Sequence, residues 1–207
     1  MNTSRRQFGA LTLGAATVLA SGRAFAADAG EPAAVVQGLY DALLDTMKQG
    51  KALGFDGRYK KLEPAIHKAF DVATMCRIAV GPFWTSLATD KKNAVLVAFD
   101  RFLVATYASR FKDFSNQKFT VGDTKPAQGD RMLVESKIVK SDGEPVALNY
   151  LLRKNADGWQ VIDVYLAGSI SQMTQMRSEF SEPLQKSGVD GLIQQLDGKV
   201  KQMQSAT

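Results

Sequence analysis

Few side chains in this 207-residue sequence are equipped for chemistry at neutral pH. There is one histidine, His67, and one cysteine, Cys76. A nucleophilic triad would have to be built around His67, the one side chain whose ordinary pKa lies near 7. No motif places an acid or a nucleophile beside it, and Lys68 next to it marks a partly exposed helix face. Cys76 adjoins Arg77, which favours a thiolate; its other reading is a small buried apolar residue. One cysteine excludes an intramolecular disulfide. One Cys and one His exclude a Cys/His zinc site unless carboxylates complete it, and no metal or cofactor is expected. Asp163 is the only charge in the run Trp159–Leu166. A buried carboxylate needs a partner. Arg177, one strand-to-helix connection later, is the expected one, forming a structural ion pair that pins a C-terminal helix to a sheet. The competing chemistry is general acid–base catalysis by Asp163, Tyr150 and His67.

The elements that must hold these residues follow from composition and periodicity. The sequence is 45% hydrophobic and 23% charged, with 17 glycines and 6 prolines, which is ordinary globular composition. The formal charge of +5 invites a polyanion-binding reading. Residues 1–26 remove most of that invitation. Arg5-Arg6 followed by Phe8, a short apolar run from Gly9 to Ala20, and Ala24-Phe25-Ala26 have the order of a twin-arginine export signal cleaved after Ala26. The run is shorter than the roughly 20 residues that a membrane span requires. Cleavage takes Arg5, Arg6 and Arg23 and no acid, so the charge falls from +5 to +2. No dense basic stripe remains for nucleic acid. The chain is expected to divide into the signal, 1–26, and one domain, 27–207, in the periplasm.

Along that domain, Pro32 is expected in the first turn of a helix carrying Val36, Leu39, Tyr40, Leu43, Leu44 and Met47, ended by Gly50 and Gly54. A second helix is expected from Arg58 to about Phe70, and a third after Asp71 as N-cap, broken at Gly81-Pro82. The fourth, capped by Thr89 or Asp90, carries the broad stripe Val95, Leu96, Phe99, Phe102, Leu103, Thr106 and Tyr107 and ends near Arg110. The period then changes to alternation. Strands are expected over Lys118–Gly122, around Met132–Ile138, around Val146–Leu152, and over Trp159–Leu166, with turns at 126–130, 141–143 and 155–158. Ser169 is expected to cap a helix with Ile170, Met173, Met176 and Phe180 on its apolar edge, ended by Pro183; a last helix runs from about Val189 to Met203. Helices, then an antiparallel meander, then helices describe an α+β single domain: a curved antiparallel sheet of four or more strands with helices on one face.

An ordered set of segments then resembles a known family. These are Phe70-Asp71, Met75, Gly81 and Trp84; Phe99, Phe102, Leu103, Thr106 and Tyr107; and Tyr150, Gly158-Trp159, Val161 and Asp163-Val164. They continue with Gly168-Ser169-Ile170-Ser171, Met176-Arg177-Ser178-Glu179-Phe180, Gly188, Gly191-Leu192 and Leu196. The chain resembles the MlaC, or toluene-tolerance auxiliary, family of periplasmic lipid carriers. The stretch from Asp163 to Ser171 resembles its hopanoid-associated HpnM branch.

The resemblance implies a non-catalytic shuttle. It would hold phospholipid or hopanoid between sheet and helices and pass it between an inner-membrane lipid transporter and the outer membrane, by way of an outer-membrane lipoprotein. A monomer with transient contact at membrane surfaces is expected. The candidate lipid-lining residues are Phe99, Phe102, Leu103 and Tyr107 from the fourth helix; Val134, Ile138, Leu148, Tyr150 and Leu152 from the sheet; and Met173, Met176 and Phe180 as a deformable edge. The same pattern also describes an ordinary core. Asp163 has a further reading as a mouth residue against a headgroup. A lipid-modifying enzyme and a transporter adaptor without ligand are the alternatives.

Overall fold

The computed structural model describes residues 24–141 and 143–206, and of residues 24–30 the backbone alone. The expected export signal therefore lies almost wholly outside the described residues. Helices α1 (Ala24–Lys48), α2 (Gly50–Ala69), α3 (Val72–Val80) and α4 (Thr89–Arg110) precede the sheet, with a 3-10 turn over Gly81–Ser86. Strands β1 (Lys118–Pro126), β2 (Arg131–Val139), β3 (Pro145–Asn155), β4 (Gly158–Leu166) and the two-residue β5 (Ile170–Ser171) follow, and then helix α5 (Gln172–Ser205). The sheet is an antiparallel meander in chain order. Among the described residues no helix is long and apolar enough to cross a membrane.

Register defines the inner face. Val134 pairs with Tyr150 and Tyr150 with Val164, so these three share a face with Ser136, Ile138, Leu148 and Leu152. Where β4 shifts register between its pairings with Leu151 and Leu152, Ile162 is the extra residue, and it is buried. Ser136 is the polar member of this face. It is satisfied by the Tyr40 hydroxyl from α1 and by the Leu148 carbonyl. On α4, five consecutive residues, Phe102 to Thr106, are buried. Such a helix is enclosed on most sides, here by α2, α3 and α5.

Several boundaries differ from expectation. Pro32 lies inside α1 rather than in its first turn, with its ring buried. The helix after Gly50 breaks only at Gly54, whose φ of 60° belongs to the left-handed region, and resumes at once. Neither Thr89 nor Asp90 caps α4; Ala88 holds the N-cap position with no side-chain bond. Strand β1 continues through Pro126, where an edge position tolerates the missing N–H. Pro183 does not end α5. The break comes at Gly188, with φ 64° and ψ −166°, because proline costs one hydrogen bond whereas this backbone conformation cannot continue a helix. Ser171, not Ser169, caps α5, its hydroxyl accepting from the Thr174 N–H at 3.0 Å.

Arg58 is 2% exposed and joins α2 to the end of α4, donating to the Ala108 carbonyl and the Gly50 carbonyl, both at 2.8 Å. The Ala108 carbonyl belongs to the last turn of α4, where acceptors lack partners within the helix. A Cβ added at Gly50 would stand 1.8 Å from the Lys112 carbonyl oxygen, whereas one at Gly38, mid-α1, would meet nothing within 4 Å. Gly50→Ala is therefore expected to lower the urea midpoint. Gly38→Ala is expected to raise unfolding free energy by about 0.5–1 kcal/mol.

Candidate functional site

A cavity of about 200 Å³ lies between α3, α4, α5 and the inner face of the sheet. Leu103, Thr106, Tyr107 and Arg110 line it from α4, a spacing of three and four residues that puts them on one helix face, and Phe111 joins them from the C-cap position. Ile138, Val146, Leu148, Val164 and Leu166 line it from β2, β3 and β4, and Met75 from α3. Gln172, Met173 and Met176 complete it from the first turns of α5. Leu166 and Arg110 are exposed, so they mark the open side. The volume is below the roughly 300–1,000 Å³ of pockets that bury drug-sized ligands. A larger apolar guest requires the walls to repack, and the three methionines are the side chains best able to do so.

The cavity sorts the twelve expected lining residues. Leu103, Tyr107, Ile138, Leu148, Met173 and Met176 stand on its wall. Phe99, Val134, Tyr150, Leu152 and Phe180 are wholly buried in the core beneath it, and Phe102 turns to a neighbouring groove on the α5 side. Face and depth are separate properties: alternation reveals the first and is silent on the second. Thr106, Arg110 and Phe111 were recognisable from helical spacing after Leu103. Val146 carried the same two-residue alternation as Leu148, whereas Met75 carried no comparable signal.

The expected ion pair between Asp163 and Arg177 is not formed. Asp163 is buried and accepts from the Ser171 hydroxyl at 2.6 Å, the Met173 N–H at 3.1 Å and the Val164 N–H at 2.7 Å. Arg177 is exposed and donates through Nε to the Ile78 carbonyl at 2.9 Å. The reason lies at the helix ends. The start of α5 offers N–H groups without helical acceptors, and the end of α3 offers carbonyls without helical donors. A carboxylate meets the first need and a guanidinium the second, so neither requires the other.

The three candidates for catalysis do not converge. His67 is exposed and bonds Asp100 at 2.8 Å, beside a different surface hollow. Tyr150 is wholly buried, and burial pushes its phenol well above the usual range, so it holds its proton. Asp163 is committed to backbone and hydroxyl donors. Among the described residues no group of His, Cys, Asp and Glu is arranged to hold a metal ion.

A family model described as MlaC protein matches residues 37–198. The chain belongs to the MlaC family. The toluene tolerance protein ttg2D of Pseudomonas putida is 29% identical over 101 residues, spanning 48% of this chain and 46% of that protein. The match thus covers about half the length of that relative. A phospholipid-binding protein from Ralstonia solanacearum, solved in complex with a phospholipid, superposes with a TM-score of 0.73 at 26% identity. The superposition covers 84% of this chain and 98% of that one, so the single domain has the MlaC-like fold throughout most of its length.

Two measurements follow. Asp163→Ala strands the Met173 N–H and the Ser171 hydroxyl, and is expected to cost about 2–3 kcal/mol in urea unfolding, with Asp163→Asn costing less. Burial also pushes the Cys76 thiol up to about 12 and the Tyr40 and Tyr107 phenols above their usual range. These groups are neutral when protonated, and the folded state keeps its protons longer than the unfolded one. Their stabilising contribution is full below about pH 9 and is lost as pH rises through the folded values. The urea midpoint is expected to fall steadily above that pH, and Cys76 to resist iodoacetamide at neutral pH until urea is added.

Proposed function

We propose that this protein is a non-catalytic lipid carrier of the periplasm, holding the acyl chains of a phospholipid in the cavity between α4, the start of α5 and the sheet. The observation that carries this reading is the cavity's lining: apolar side chains from six elements face one another without filling the space between them. Membership of the MlaC family supports it, as does the phospholipid bound by the Ralstonia protein, which superposes on this chain over 98% of its own length. The lipid-lining residues in this reading are those on the cavity wall, not the six core and groove residues that share their periodicity. The twin-arginine pattern supports export. Handing of lipid between an inner-membrane transporter and an outer-membrane acceptor follows from the same reading, with brief contact at membrane surfaces.

The test is extraction of the exported protein into organic solvent followed by mass spectrometry. Phospholipid is expected at near-stoichiometric amounts. A hopanoid in its place would change the ligand and keep the carrier. A lipid-free protein would sink the reading. Leu148→Trp, which fills the cavity from the sheet side, is expected to cut retained lipid several-fold while circular dichroism stays unchanged.

A further inference from the structure

The cavity abuts a second hollow. A groove of about 410 Å³ runs between the end of α4 and both halves of α5, and Thr106, Arg110, Gln172 and Met176 belong to the walls of both. The two differ in chemistry. Beyond the shared residues the cavity is walled by apolar side chains and the Tyr107 phenol, while the groove adds Ser109, Gln175, Glu179 and Gln202. Apart from that phenol, the polar residues of the cavity are Thr106, Arg110 and Gln172, all at this junction. An amphiphile with its chains in the cavity therefore finds matching surroundings for its polar end at the junction and nowhere else on the wall.

Arg110 is the group there with charge to offer. It is the last residue of α4, exposed, with no hydrogen bond or ion pair among the described residues. The groove's other cation, Lys199, is engaged by Glu179 at 3.0 Å and lies 5.8 Å from the centroid of the Phe102 ring. A cation at a helix C-terminus complements the dipole, but any lysine or arginine on the last turn would do that. A guanidinium at the junction of an apolar cavity and a polar groove does more, because its forked donors match phosphate oxygens in a way an ammonium does not.

Resting on the carrier reading above, we propose that Arg110 binds the phosphodiester of the bound lipid at this junction and makes the site prefer phospholipids over lipids of the same chains that lack phosphate. The experiment uses the full chain stripped of lipid and titrated with phosphatidylglycerol and with diacylglycerol of identical acyl chains. Wild type is expected to prefer phosphatidylglycerol. Arg110→Gln is expected to reduce that preference about tenfold, and Arg110→Lys to reduce it less. An unchanged ratio in Arg110→Gln, whether both affinities hold or both fall together, overturns the assignment and leaves the carrier reading intact. Wild type that binds neither lipid overturns both. Inorganic phosphate alone is expected not to raise the melting temperature; if it does so in wild type and not in Arg110→Gln, the site is one for free phosphate and the headgroup assignment fails.

Discussion

The height of α5 above the sheet is set by one buried carboxylate. Asp163 projects from β4 and gathers the Ser171 hydroxyl and the Met173 N–H, while Ser171 in turn caps the helix. Sheet and helix are joined there by hydrogen bonds to a buried carboxylate, where a low local dielectric strengthens them. Everything distal to that joint, including Met176 and the walls facing it, takes its spacing from there. Arg177 fixes the same helix laterally by closing the end of α3. The exposed pairs between α4 and α5, Lys91 with Asp190 and Arg101 with Asp197, decorate this arrangement and stabilise it little.

A gap lined by apolar atoms is costly, since unfilled space forfeits dispersion contacts. It persists here because the surrounding core is closed without it. Phe99, Tyr150, Leu152 and Phe180 pack fully on the core side, and aromatic contacts join α1 to the sheet, through Tyr40 and Phe119 at 4.8 Å, and the α2–α3 junction to α4, through Phe70 and Tyr107 at 5.4 Å. Aromatic rings thus help to close the core side, while the three methionines are the adaptable members of a largely aliphatic cavity wall. Tyr107 stands at the boundary, contributing to both.

Much of this was legible in the residues themselves. Alternation in the strands assigned Val134, Leu148, Tyr150 and Leu152 to one face, and the register agrees. The Asp71 cap is present, with Oδ1 accepting from the Thr74 N–H at 2.9 Å. What was not legible depends on distance across space. The partner of Asp163 was misassigned because a sequence displays side chains and hides the unpaired N–H groups of a helix start. Ser169 and Ser171 are equally good caps in isolation; the short β5 pairing with Tyr165 and Leu166 decides between them. Six of the lining candidates fall in the core and groove for a related reason. Periodicity says which way a residue points, and how far the opposite wall stands is a property of the whole assembly.

The order of the strands has a consequence for how such a hollow comes into being. Each strand pairs with its neighbour in the chain, so the sheet closes only short loops and asks little entropy of the unfolded chain. The contacts that fasten the helices to the sheet and to one another span far more chain. Tyr40 reaches Ser136 across 96 residues, Arg177 reaches Ile78 across 99, and Gln204 reaches Asp56 across 148. On these grounds the floor of the cavity is entropically cheap to assemble and its roof expensive. The space between them exists only once loops as long as the one closed by Arg177 and Ile78 have formed.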